Sequence, residues 1–332
     1  MAKSTRLLKS FYRLLFPIVL LILIAAGGAA VYLTYESSHP VRTAYQVTPD
    51  RYGWLSARGA QVTDETWTNR DGTSARGWLL RGSENAPAVI LLHKYGADRS
   101  HVLNLGVKLN EATNFTVLMP DQRGHGPNPP VAYTSFGGCE STDTTAAVAF
   151  LHGLKTDTQA TLVGKDVGIY GLEMGSLAAL NAAADDEAVK AIVLDSVPAD
   201  SDSLVASVID RRFPFASAVT SRLGQLGSYG YFYEGCYSRV PVCESAKRVS
   251  NRKALLLAGT DAPEFQESTS KLSKCFPTST VTEANTGLSP SGFSVINGSI
   301  PVSESYDQRV IEFFRTSLGE PVMVATETPQ QQ

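Results

Sequence analysis

The chain has 332 residues, 43% of them hydrophobic and 18% charged, with a formal net charge of −3 at pH 7. These values lie in the ordinary globular range and exclude both a disordered chain and a polytopic membrane protein, while the scattered Lys and Arg exclude nucleic acid as a partner. The length suits one main domain of an α/β fold with insertions.

Lys3, Arg6, Lys9 and Arg13 lead into an uncharged apolar run from Leu14 to Tyr35. A helix rises about 1.5 Å per residue, so a run of this length covers a hydrocarbon core about 30 Å thick. The cations precede the span, which predicts a cytoplasmic 1–13, a membrane-spanning 14–35, and a main domain beyond the membrane, periplasmic or extracellular. Pro17 falls in the first turn of the run, where proline is tolerated. A cleaved signal peptide is the competing reading, with a peptidase site among the small residues Ala25 to Ala30, but the length of the run favours an uncleaved anchor. An exported domain meets an oxidising compartment, so at least one disulfide is expected among the four cysteines. Cys236 and Cys243 bracket a short loop and would leave Cys139 to pair with Cys275, yet spacing alone leaves all three connectivities open. No C-x-x-C spacing supports a zinc site, and no cofactor or metal is expected.

Residues 36–60 read as a connector with little periodicity, before a domain predicted over 61–319. Two β-rich runs flank the turn signal Asn69-Arg70-Asp71-Gly72 and predict a hairpin over 61–81. Short continuous apolar runs then follow at Ala88–Leu92, Phe115–Met119, Val167–Tyr170, Ala191–Leu194 and Ala254–Leu257, the pattern of strands covered on both faces. Between and after them, Val102, Leu105 and Leu109, then Ala147, Phe150, Leu151 and Leu154, and finally Val310, Phe313, Phe314 and Leu318 each mark one buried helical face. Strand and helix in alternation predict a mainly parallel sheet flanked by helices, an α/β class. From 198 to 252 the alternation stops, and Tyr229, Tyr231, Tyr233 and Tyr237 crowd a glycine-containing segment that reads as a lid-like insertion over the carboxyl edge of the sheet. Ligands bind at that edge in open α/β sheets, so these tyrosines either wall a pocket or pack the insertion onto the body. Residues 320–332 read as a disordered tail.

The run Val167–Tyr170 enters Gly171-Leu172-Glu173-Met174-Gly175 and then the helix-forming Ser176-Leu177-Ala178-Ala179-Leu180. Paired glycines at that spacing relieve crowding where a strained residue at a strand-to-helix turn holds its side chain above the sheet. His93-Lys94-Tyr95-Gly96, Asp121-Gln122-Arg123-Gly124-His125-Gly126 and Gly259-Thr260-Asp261 follow other strands. With these four loops in order, the stretch from about 60 to 318 resembles the α/β-hydrolase family, with serine aminopeptidases and monoacylglycerol lipases the nearest comparison.

The resemblance implies a nucleophile at Glu173, where the family has serine, an acid at Asp261, and oxyanion-hole donors at Tyr95 and Met174. It also implies a histidine base late in the chain, but His39, His93, His101, His125 and His152 all precede the elbow. The loop Thr286 to Gly292, where that histidine would fall, offers no side chain that shuttles protons near neutral pH. The family's serine, made nucleophilic by a base, is therefore missing together with the base. Ser176 lies three residues too late, and His93 and His125 match positions that support loops. Lys94 stands where the family has a small residue beside the oxyanion hole, and it is expected to close the site through a salt bridge to Glu173. The expectation is a catalytically degenerate, membrane-anchored homologue that binds a small apolar ligand or an envelope protein. The alternative is a hydrolase of esters or peptides using unorthodox chemistry at Glu173; a tethered structural protein is a third class.

Overall fold

A computed structural model describes residues 2–42, 44–52, 61–233, 235–295 and 300–319. The tail expected over 320–332 and part of the 36–60 connector lie outside the described residues. Helix α1 (Ala2–Ser38) is followed by a short α2 (Pro49–Tyr52) and then by a hairpin, β1 (Val62–Thr68) and β2 (Ser74–Leu80), paired antiparallel around the expected turn. The alternating body comprises β3 (Ala86–Leu92), α3 (Leu103–Thr113), β4 (Thr116–Pro120), α4 (Gly138–Gly153), β5 (Val163–Leu172), α5 (Met174–Asp185) and β6 (Val189–Asp195). Three helices then precede the next strand: α6 (Ser201–Arg212), α7 (Ser217–Tyr231) and α8 (Val242–Ala246). The chain continues through β7 (Lys253–Leu257), α9 (Pro263–Leu272), β8 (Val281–Asn285) and α10 (Ile300–Leu318).

The eight strands form one sheet in the order β1-β2-β4-β3-β5-β6-β7-β8, parallel from β4 onward and antiparallel at β1 and β2. Alternate residues of the central strands feed two cores. Ile90, Ile169, Ile192 and Leu256 pack with α4 and α5 on one face, while Val89, Leu91, Val193 and Leu255 pack with α3 and α10 on the other. Burial on both faces is why these strands read as continuous apolar runs. The parallel strands end together, and the loops at their carboxyl ends carry the site.

The apolar N-terminal run is one helix, long and apolar enough between Arg13 and Ser38 to cross a membrane. Two expectations about it change. The helix starts well before Pro17, so that proline is interior and deletes a helical hydrogen bond instead of sitting in a first turn. The helix also runs past Tyr35 and docks on the domain: Leu33, Thr34, Ser37 and Ser38 are buried, and Thr134 donates its N–H to Ser38 O at 2.8 Å. The cysteines pair as Cys139–Cys236 and Cys243–Cys275, so the short Cys236–Cys243 loop is not the one that closes. Each bridge ties the segment between β6 and β7 to the body.

Candidate functional site

Strand β5 ends at Leu172 and helix α5 begins at Met174, which leaves Glu173 alone to make the turn at φ 50° and ψ −107°. Such a backbone is strained for a residue with a side chain and is held only where the surroundings impose it. They do so at two close approaches. A Cβ at Gly171 would overlap the backbone of Gly175 and Ser176, and one at Gly175 would come within 2.6 Å of Leu92 O and 2.8 Å of His93 O. Glu173 N–H donates to Asp195 O at 2.9 Å, which joins the turn to the end of β6.

The turn projects the carboxylate into the cleft, where its exposure is 0%. Glu173 Oε2 accepts the backbone N–H of Tyr95 at 2.8 Å, and Oε1 accepts from Arg211 Nη2 at 2.7 Å. Tyr95 N–H is the donor that the resemblance assigns to the oxyanion hole, so the elbow's own side chain occupies that position. Met174, the other expected donor, opens α5 with its side chain fully buried. The N-terminus of α5 adds a dipole that favours negative charge at Glu173.

The expected Lys94–Glu173 salt bridge is corrected. The cation that meets Glu173 is Arg211, at the end of α6, whereas Lys94 Nζ donates to Phe293 O at 2.6 Å and lies 3.9 Å from the centre of the Phe293 ring. A carbonyl and an aromatic face satisfy the ammonium, and Arg211 brings to the carboxylate a planar fork suited to it. Burial pushes the Lys94 pKa down and Arg211 adds to the effect, while Glu173 and Asp261 oppose it. Lys94 thus remains in the field of Glu173 without pairing with it. Arg211 sits in a stretch that carries no motif, and only the packing of α6 across the cleft reveals it.

Asp261, at the acid position, accepts Ser291 N–H at 2.9 and 3.0 Å and the Ser291 hydroxyl at 3.1 Å. Ser291 lies in the loop where the family's histidine would fall, and it takes up the carboxylate in that residue's place. The neighbouring Gly292 donates its N–H to Asp195 Oδ2 at 2.7 Å, an oxygen that also accepts from Tyr306 Oη at 2.5 Å. Asp195 and Tyr306 went unmarked in the sequence, although Asp195 directly follows the apolar run of β6.

The histidines near the cleft are committed to structure. His93 Nε2 accepts from Gln122 N–H at 3.1 Å, so its Nδ1 carries the proton donated to Lys94 O at 2.8 Å. His125 does the same, accepting from Gly96 N–H at 3.0 Å and donating to Arg123 O at 2.6 Å. Burial lowers the pKa of His93, and it brings His125 and His101 down to about 3. Ser176 is equally engaged, with its hydroxyl donated to Glu173 O at 2.5 Å. Beyond Arg211 lies an open groove of about 580 Å³ whose lining includes Ser203, Ser207, Glu264, Phe265 and Ser268.

A family model described as the alpha/beta hydrolase family matches residues 72–268, more than half of the chain. No curated protein sequence matches it. Among solved structures, an esterase from Pyrococcus furiosus is similar with a TM-score of 0.61 at 20% identity, over 86% of this chain and 99% of its own. A hypothetical protein from Pseudomonas aeruginosa is similar with a TM-score of 0.56 at 18% identity, over 83% and 100%. An alpha/beta hydrolase from a Penicillium species gives 0.55 at 18%, over 78% and 99%. Likeness at these identities speaks for the fold, and the chemistry rests on the site itself.

Proposed function

The chain belongs to the alpha/beta hydrolase family, and on that basis we propose that it is a member without Ser-His-Asp catalysis, tethered by α1 at a membrane and acting through binding or contact. The observation that carries this reading is the placement of the Glu173 carboxylate on Tyr95 N–H, neutralised by Arg211 and shielded from solvent. A substrate carbonyl would have to displace that carboxylate from the oxyanion position, and no histidine stands ready to activate an attacking group. Glu173 is a poor nucleophile for the same reason, since each of its oxygens already accepts a hydrogen bond.

The cations ahead of the apolar run and the disulfides support a domain on the exocytoplasmic side. The occluded elbow favours contact with an envelope protein, and the groove beside Arg211 is where a small ligand would sit instead. The test uses the full-length chain in mild detergent, offered p-nitrophenyl acetate or butyrate and a fluorophosphonate probe. Neither turnover nor labelling is expected, and Glu173→Ser alone should not create either because the base is still missing. Labelling of the unmodified chain at one serine, lost when that serine is replaced, would overturn the proposal and favour an active hydrolase.

A further inference from the structure

Helix α7 packs closely on α1. The Thr34 hydroxyl donates to Gly224 O at 3.5 Å, and a Cβ at Gly227 would come within 2.6 Å of Ala30 O. A Cβ at Gly227 would also overlap Thr34 Oγ1, so both glycines let α7 meet the same stretch of α1, near the end of the apolar run. The Tyr231 ring lies 6.4 Å from that of Tyr133, which in turn lies 6.3 Å from the ring of His39, just past the end of the apolar run at Tyr35.

The end of α7 and the turn after it expose Leu226, Tyr229, Tyr231 and Tyr233 to between 47% and 74%. Tyr229 and Tyr233 meet edge to face at 6.3 Å, and the Arg239 guanidinium lies 5.0 Å from the Tyr229 ring. Tyrosine, with an apolar ring and a polar tip, is enriched at the boundary between hydrocarbon and headgroups, where arginine meets phosphate. Because α1 is one unbroken helix up to its buried end at Ser38, the level of this patch relative to the apolar run is fixed by packing and not by a loose linker.

We propose that the Tyr229–Tyr233 end of α7 lies in the interfacial layer of the exocytoplasmic leaflet beside the chain's own span, so that the domain rests on the lipid surface through α7. The inference rests on the reading of α1 as a membrane anchor. Its ligand is the phospholipid surface itself.

The test reconstitutes the full-length chain in nanodiscs of phosphatidylcholine and phosphatidylglycerol, with p-benzoylphenylalanine replacing one residue at a time. The sites are Tyr231 and Tyr233, Leu21 in the apolar run, and Val281, an exposed residue that opens β8 at the opposite edge of the sheet. After irradiation, the intact mass should rise by one phospholipid at Leu21, Tyr231 and Tyr233, with no such rise at Val281. An adduct at Leu21 with none at Tyr231 or Tyr233 would sink the inference and leave the anchor standing. Cross-linking of Tyr231 or Tyr233 to a second protein chain instead of lipid would sink it in favour of self-association. Loss of the adduct at Leu21 would remove the anchor reading, and the inference with it.

Discussion

Arg211→Ala would leave the Glu173 carboxylate buried with Tyr95 N–H as its remaining partner. Stranding a buried charge costs about 3 to 5 kcal/mol, and because Arg211 is 37% exposed the loss here should fall nearer about 2 kcal/mol. Adding Glu173→Gln removes the stranded charge while keeping an acceptor for Tyr95, so the double variant should regain part of that loss. Lys94→Ala combined with Glu173→Gln should show the smaller coupling, since Lys94 holds Phe293 instead. Urea unfolding of the parent, the three single variants and the two double variants would settle the ranking, and a larger coupling for Lys94 would reverse the assignment. The sequence made Glu173 and the missing histidine visible because a turn motif and a residue type are local properties. Arg211 was not visible, since its meeting with a residue 38 positions away depends on how α6 lies across the sheet.

The two disulfides act on the element whose placement the sequence determines least, the helical segment between β6 and β7. Cys139–Cys236 spans 97 positions and Cys243–Cys275 spans 32. Loop-closure entropy assigns about 4.7 and 3.7 kcal/mol to loops of these sizes, values that measured bridges commonly fall below. Replacing Cys139 and Cys236 by serine should therefore lower stability by about 1 kcal/mol more than replacing Cys243 and Cys275. Thermal unfolding of the paired variants in one detergent checks the order, and the reverse order would mean that native contacts outweigh chain entropy. The sequence marks that segment only as a lid-like insertion where the alternation stops, and its helices α6 and α7 stay hidden because glycine and tyrosine obscure a helical face that packing on α1 completes. Strand β8 is hidden in the sequence for a different reason. It is an edge strand whose sequence Val281-Thr-Glu-Ala-Asn is mostly exposed, so it carries no apolar run. The central strands were legible because each must be apolar on both faces.

At the scale of the whole molecule, buried ionisable groups set opposing responses to acid. Burial brings His101 and His125 down to about 3, well below an ordinary imidazole, and lowers His93 as well. Each binds a proton in the unfolded chain before the folded one, so between about pH 6.5 and 3 each withdraws stability as pH falls. Burial pushes Asp195 and Asp143 up to about 6, against hydrogen bonds from Tyr306 and Arg123 respectively. A raised carboxylate works in the other sense: the folded chain takes up the proton first, so stability from this source is lost as pH rises from about 4 to 6 and regained on acidification. The two classes offset one another, and removing one carboxylate should expose the imidazoles. Asp195→Asn keeps an acceptor for Gly292 and removes the titration. Relative to the parent, the variant should therefore gain stability as pH rises from 4 to 6, by about 2 to 3 kcal/mol over that window. Urea midpoints of both full-length chains, read at several pH values in the same detergent, give the difference directly. A variant-to-parent difference that stays flat with pH would overturn this by showing that the hydrogen bonds to Asp195 balance its burial between β6, Gly292 and Tyr306, and one that shifts toward the parent as pH rises would show that they outweigh it.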